Sequence, residues 1–238
     1  MEPLTEEKIR TAVVLAGGAG LRLRPLTSEI PKAMILVAGK PLLEWIIEWL
    51  KRNRIDNIVI GVAYKKEKIT GYFGNGDRLG VRIEYSNHTV EGGTSQGFRL
   101  AIERHVNDET FVAMNSDELV DLDVQDFVKF HRSNGGIATL AVGPLRSPYG
   151  IVELDGNDVI GFKEKPVIRS HYVSVGTYVF SQEILDHLPE KGDVERTTFP
   201  SLASMRRLKA YVHNGFWATV NTIKDLEDVE NQLSRGQG

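Results

Sequence analysis

The chain has 238 residues, enough for one large domain with a substantial core. Its 41% hydrophobic and 26% charged residues are ordinary for a globular protein, and a net charge of −3 leaves no electrostatic footprint for nucleic acid. It contains no cysteine, which excludes disulfides and thiolate metal sites, and no run near the roughly 18 apolar residues of a membrane span.

Residues 1–8 are charged and lack the apolar centre of a signal peptide, so they read as a frayed arm of a cytoplasmic protein. Ala12 to Ala16 form a short β-branched apolar run, the pattern of a buried strand. The run breaks into Gly17, Gly18 and Gly20, then Arg22, Arg24 and Pro25. Glycines let backbone N–H groups face a ligand, and the following cations suit a polyphosphate. The loop lacks the Gly-Lys-Ser/Thr ending of a Walker A motif. Leu23 stands where a dinucleotide fingerprint needs a glycine, and Pro25 argues against a continuous helix. The plain alternative is a glycine-rich turn with solvated arginines.

Pro41 opens a helix whose apolar residues, Leu42, Leu43, Ile46, Ile47, Trp49 and Leu50, share one broad face. A buried strand follows at 58–62, a charged helix at 65–72, a half-buried strand at 81–85 and a helix at 96–106. Residues 110–114 read as another buried strand, ending at Asn115-Ser116-Asp117. A helix fits 123–133, strands fit 137–142, 150–154, 158–162 and 172–180, and a last helix fits 222–234.

Strands alternating with helices predict an α/β three-layer, Rossmann-like domain with a mixed, mostly parallel central sheet. The crowding of strands after 137 predicts antiparallel additions at one side. Residues 1–238 read as a single domain, with a nucleotide-binding half at about 10–120 and a second-substrate half at about 121–238. Ligands of open α/β sheets bind beyond the carboxyl ends of strands, where Gly17 and Asp117 both fall. A carboxylate there suits Mg²⁺ alongside phosphate oxygens; a turn cap is the other common fate of such an aspartate.

These pieces, in this order, resemble the sugar-1-phosphate nucleotidylyltransferase family. The family opening, written GGxGTRLxPLT and then PKPM, stands here as Gly17 to Thr27 and Pro31-Lys32-Ala33-Met34. Asn115-Ser116-Asp117 matches its NGD, and Tyr149-Gly150 and Glu164-Lys165-Pro166 match its sugar-side elements. The resemblance covers about residues 10–230. It looks closer to the mannose- and heptose-1-phosphate guanylyltransferases than to members with a QxxPxGL segment, which residues 87–96 lack.

The resemblance implies transfer of a nucleotidyl group from a nucleoside triphosphate to a sugar 1-phosphate, with pyrophosphate released and Mg²⁺ as cofactor. It implies that the backbone of Ala16, Gly17, Gly18 and Gly20, and a turn at Gly93-Thr94, hold the nucleotide. Arg22 would stabilise the triphosphate and the departing pyrophosphate, Lys32 would lie at the α-phosphate, and Asp117 would hold the metal. Tyr149, Gly150, Glu164, Lys165 and Ser174 would contact the sugar phosphate. Its partners are then two small molecules, with no nucleic acid and no membrane; homo-oligomerisation is left open.

The chain departs from the pattern in its late W-x-D-x-G-T element, which reads Trp217-Ala218-Thr219-Val220-Asn221-Thr222. Thr219 replaces the second metal-binding aspartate, and a neutral hydroxyl is a poorer ligand for a hard cation. Asn221 is therefore expected to share the metal with Asp117. Two alternatives stand beside guanylyl transfer: a UTP-, dTTP- or CTP-dependent enzyme of the same type, and a catalytically weak homologue that senses nucleotide-sugars. The six histidines show no ligand spacing and receive no role.

Overall fold

The computed structural model describes residues 8–235; all but the last residue of the arm expected at 1–8 lies outside them. Strand β1 (Thr11–Leu15) is buried along its whole length. Ala12 and Val14 pack into one hydrophobic core, Val13 and Leu15 into a second on the opposite face. A strand covered on both faces shows an unbroken apolar run rather than an alternation.

Six further strands complete the main sheet: β2 (Asn57–Val62), β3 (Arg82–Asn87), β4 (Thr110–Asn115), β5 (Ala138–Arg146), β6 (Val167–Ser181) and β7 (Leu208–Val212). Their spatial order is β7-β5-β6-β4-β1-β2-β3. β1 runs parallel to β2 and β4, β2 to β3, and β5 to β7. Only β6 runs against its neighbours, β4 and β5. The antiparallel element thus sits inside the sheet and not at its side. The strands predicted at 150–154 and 158–162 form as Ile151–Asp155 and Asp158–Lys163, but they pair only with each other, as a hairpin off the sheet.

The helices are α1 (Leu42–Arg52), α2 (Lys66–Phe73), α3 (Gly93–His105), α4 (Val124–Asn134), α5 (Thr198–Ser204) and α6 (Ile223–Arg235). α1, α2, α4 and α6 supply the core that holds Val14; α3 and α5 supply the core that holds Val13. The result is three layers, helices over both faces of one sheet. All six apolar residues of the predicted stripe on α1 are buried. At α4 the Asp123 carboxylate accepts from the backbone N–H of Gln125 and Asp126, at 2.8 and 3.0 Å, and so caps the helix start. β7 and α5 carry no plain periodic signal: β7 is short and half-exposed, and α5 contains Pro200.

His131 on α4 is buried against β5 and β6, its ring nitrogens 2.8 Å from Thr139 Oγ1 and 2.9 Å from Ser181 Oγ. Burial, aided by the neighbouring Arg132 charge, pushes its pKa down to about 4 from 6.5. The unfolded chain therefore takes up this proton first as pH falls, so the stability His131 contributes is intact above about pH 6.5 and drains away toward pH 4. The full loss is about 3 kcal/mol, at 1.4 kcal/mol per unit. Urea unfolding at pH 7 and pH 4.5 measures it: His131→Gln should flatten the pH dependence, and an unchanged slope would refute the assignment.

Candidate active site

β1 and β4 are parallel neighbours in register, with Leu15 beside Asn115. Their carboxyl ends therefore deliver Gly17 and Asp117 to one edge of the sheet, and Ser116 N–H ties the two ends by donating to Leu15 O at 3.0 Å. A cavity of about 280 Å³ opens there, lined by Gly17, Gly18, Lys32, Gly93, Thr94 and Asp117, together with His88 and Asp193. A larger depression of about 1380 Å³ lies at the opposite edge, around Arg10, Asp56 and Arg82. Open α/β sheets bind ligands at the carboxyl edge, so the smaller cavity is the candidate site.

Gly17 is required by packing. A Cβ there would fall 2.4 Å from His88 Nε2 and 3.0 Å from the methyl of Ala63, so only a bare backbone fits beside the ring. Burial holds the His88 imidazole below its usual pKa. The loop leaves the glycines in one 3₁₀ turn, Leu21–Leu23, which carries Arg22, and a second such turn, Lys32–Met34, brings Lys32 back.

Lys32 is the hub of the site. Its side chain is only 11% exposed, and Nζ lies 2.6 Å from Asp117 Oδ2 and 2.6 Å from Asn221 Oδ1. Arg22 Nη2 also donates to Asn221 Oδ1, at 3.0 Å. Lysine and arginine carry only donors, so the carbonyl of the Asn221 amide must face them. The amide's other end donates to Thr219 Oγ1 at 2.6 Å, which holds that orientation. Behind Asn221 a reciprocal cap starts α6: Asp225 N–H donates to Thr222 Oγ1, and Asp225 Oδ2 accepts from the N–H of both Asn221 and Thr222. A rigid helix start thus positions Asn221, 189 residues from Lys32 in sequence.

Asp117 and Asn221 present two hard oxygens converging on one point, where the Lys32 ammonium now stands. That donor chemistry suits a small hard cation. Beside it, burial and then the Asp117 charge raise the Glu118 pKa to about 8, with Lys32 opposing.

Comparison with known proteins places the chain in a family. The model of the nucleotidyl transferase family matches residues 11–236. The chain belongs to the nucleotidyl transferase family. It is 34% identical to a UTP–glucose-1-phosphate uridylyltransferase of Synechocystis over 94% of this chain and 63% of that protein. It is also 34% identical to a mannose-1-phosphate guanylyltransferase catalytic subunit beta of Dictyostelium discoideum, over 90% of this chain and 62% of the relative. A mannose-1-phosphate guanylyltransferase of Mycobacterium tuberculosis matches at 34%, over 94% of this chain and 65% of that protein. The chain thus spans somewhat under two thirds of the length of these curated relatives. Its fold matches the crystal structure of a putative glucose-1-phosphate thymidylyltransferase from Bacillus anthracis, with TM-score 0.76, 22% identity, and coverage of 93% of this chain and 94% of that one.

Of the residues singled out in the family motifs, the structure joins Gly17, Gly18, Lys32, Gly93, Thr94 and Asp117 around the cavity. Arg22 and Asn221 join them through hydrogen bonds. Ala16 is fully buried and Gly20 turns away, its carbonyl accepting from Thr27 Oγ1 at 2.8 Å; neither lines the cavity. Gly93 and Thr94 do not form a turn but open α3. The Thr94 hydroxyl is already engaged, accepting from Val194 N–H at 2.9 Å and donating to Glu195 at 3.2 Å.

The sugar-side residues are not drawn into this cluster. Tyr149, Glu164, Lys165 and Ser174 are exposed, and no hydrogen bond or ion pair among the described residues links them or Gly150 to Lys32, Asp117 or Asn221. Glu164 and Lys165 pair with each other at 3.8 Å, at the foot of the hairpin. Among the cavity or site residues with no signal in the sequence are His88, Asp193 and Glu118. A lone histidine or acid carries no spacing to read, and only the fold makes it a neighbour.

Proposed function

We propose that the chain is a sugar-1-phosphate nucleotidylyltransferase, leaning to GTP and a mannose- or heptose-type 1-phosphate. The observation that carries this reading is the Lys32 ammonium, held 2.6 Å from both Asp117 and Asn221 at the mouth of the glycine-lined cavity. In the reaction a sugar-phosphate oxygen attacks the α-phosphorus, the bond to the β-phosphate oxygen breaks, and pyrophosphate leaves. The chemistry needs no protein nucleophile. It needs two polyanions brought together with their repulsion offset, and positioning and charge stabilisation supply most of such catalysis.

The roles follow from placement. The backbone at Gly17 and Gly18 faces the triphosphate, and Arg22 binds the phosphates that depart. Lys32 moves from its carboxylate to the α-phosphate. The oxygens of Asp117 and Asn221 fit Mg²⁺, which when bound supplies Lewis-acid polarisation of a phosphoryl oxygen. Asp193 lines the cavity with a carboxylate, a double acceptor that suits the adjacent N–H donors of guanine. Glu164 and Lys165 remain the proposed contacts for sugar hydroxyls and sugar phosphate.

Pyrophosphate release tests the reading, with the four common triphosphates set against mannose, heptose and glucose 1-phosphates. GTP with a manno-configured acceptor should exceed UTP with glucose 1-phosphate by at least about tenfold in kcat/KM, as expected when a site's polar groups match one base and not the other. A reversed preference would assign a uridylyltransferase, as the Synechocystis relative is named. Release with no pair would leave a nucleotide-sugar sensor.

A further inference from the structure

Directly behind the Lys32 hub runs a two-stranded antiparallel ribbon, Glu118–Val120 against Trp217–Thr219. In it Glu118 is the cross-strand partner of Thr219. Paired residues of an antiparallel ribbon project from the same face, with Cβ atoms about 4.5–5.5 Å apart. The Thr219 hydroxyl on that face holds the Asn221 amide. The carboxyl of Glu118 therefore shares the face that carries Thr219 and Asn221.

Two features show that this side chain is turned inward. Its Oε2 is fully withdrawn from solvent and has no hydrogen-bond partner. Its stem lies over Gly176, where a Cβ would fall 2.5 Å from Glu118 Cγ and 3.0 Å from Oε1; with φ at +67° only glycine is at ease there. The backbone of β6 has thus left room for this carboxyl. The charges of Asp117 and Lys32 both act on it. Yet Lys32 hydrogen-bonds Asp117 and Asn221, and among the described residues no ion pair reaches Glu118, whose Oε2 is left withdrawn from solvent. A buried carboxylate is retained at a cost unless it is paired or holds a metal.

We propose that Glu118 is a ligand of the divalent cation, completing with Asp117 and Asn221 a set of three protein side chains, two of them carboxylates. One or two carboxylates beside substrate phosphates is the ligand set Mg²⁺ prefers. The proposal rests on the nucleotidyl-transfer reading only in taking that cation to be the one accompanying the triphosphate. With two carboxylates committed to the divalent ion, the Lys32 ammonium is free to exchange Asp117 for phosphate.

The test uses Mn²⁺ as the probe, titrated into the full chain by calorimetry, alone and with a non-hydrolysable GTP analogue. Glu118→Gln keeps the shape and removes the charge, so the metal-free protein should melt no lower than the parent. Its Mn²⁺ dissociation constant should rise at least about tenfold, 1.4 kcal/mol of binding, and the gain in Tm at a given Mn²⁺ concentration should shrink accordingly. Adding Thr219→Asp to Glu118→Gln returns a carboxylate to the same face from across the ribbon, and should recover most of the lost affinity.

Mn²⁺ affinity within about twofold of the parent in Glu118→Gln would overturn the proposal. So would a raised KM for the sugar 1-phosphate with unchanged Mn²⁺ binding, which would make Glu118 a sugar contact, or a parent chain that binds no Mn²⁺ even with the analogue. The functional reading fails separately: a parent that binds Mn²⁺ through Glu118 but releases no pyrophosphate from any pair keeps the ligand and loses the transferase.

Discussion

Lys32→Ala is expected to lower kcat by about 10²–10³-fold, the usual effect of removing one preorganised cationic or hydrogen-bonding donor from a site where charge develops. The reason lies in its surroundings. Among the described residues Lys32 is the one side chain hydrogen-bonded to both Asp117 and Asn221, and its own side chain is 11% exposed, so its charge is little screened by water. KM for the triphosphate should move less than kcat, because in the proposed roles Arg22 and the loop backbone would still bind the ground state. Lys32→Arg should not restore the rate: a planar fork cannot occupy the point between two oxygens each 2.6 Å away. Steady-state kinetics decide it, and a kcat within about threefold of the parent would remove Lys32 from the chemistry.

Asp117→Asn should be the other severe loss, on the order of 10²-fold or more in kcat, because the charge that anchors a divalent ion is worth several kcal/mol in the transition state. Asn221→Ala should cost less, about tenfold, and chiefly at limiting Mg²⁺, since a neutral carbonyl is the weaker ligand. The measurement is rate against Mg²⁺ concentration. Saturating Mg²⁺ should rescue Asn221→Ala and not Asp117→Asn. Near-normal activity of Asn221→Ala at limiting Mg²⁺ would reject its role as a ligand. The two substitutions also differ in what they leave behind. Asp117→Asn leaves Lys32 with only neutral partners, whereas Asn221→Ala leaves the Lys32–Asp117 ion pair intact and frees Arg22.

Much of this site is legible along the chain because its key groups sit in short, ordered runs. Gly17 must be bare where His88 presses on it, and Asp117 must follow a strand end that aligns with β1. Such demands leave a fixed residue type at a fixed offset from an apolar run. The same holds for the Leu42–Leu50 stripe of α1 and for the Asp123 cap of α4. The sheet's order resisted reading. β6 threads between β4 and β5, and the 151–163 strands leave the sheet to pair with each other. Nothing in an alternating run says which neighbour a strand will choose, because pairing is decided by long-range packing and not by the strand's own residues.

The glycine-rich loop, its arginine, Lys32 and the strand-end Asp117 are what the sequence by itself determined, along with the alternation that makes an α/β sheet. Each is a local requirement of backbone conformation, charge or periodicity. Tertiary structure alone decided that Thr219 serves as the clamp for the Asn221 amide, that Lys32 bridges Asp117 and Asn221, and that Glu118 Oε2 is withdrawn from solvent without a partner. It also separated Glu164 and Lys165 from that cluster. These relations join residues as many as 189 positions apart. Apart from the Thr219–Asn221 clamp, whose residues are two positions apart, they exist only once two parallel strands and a late helix start have been brought to one edge, so no window of the sequence contains them.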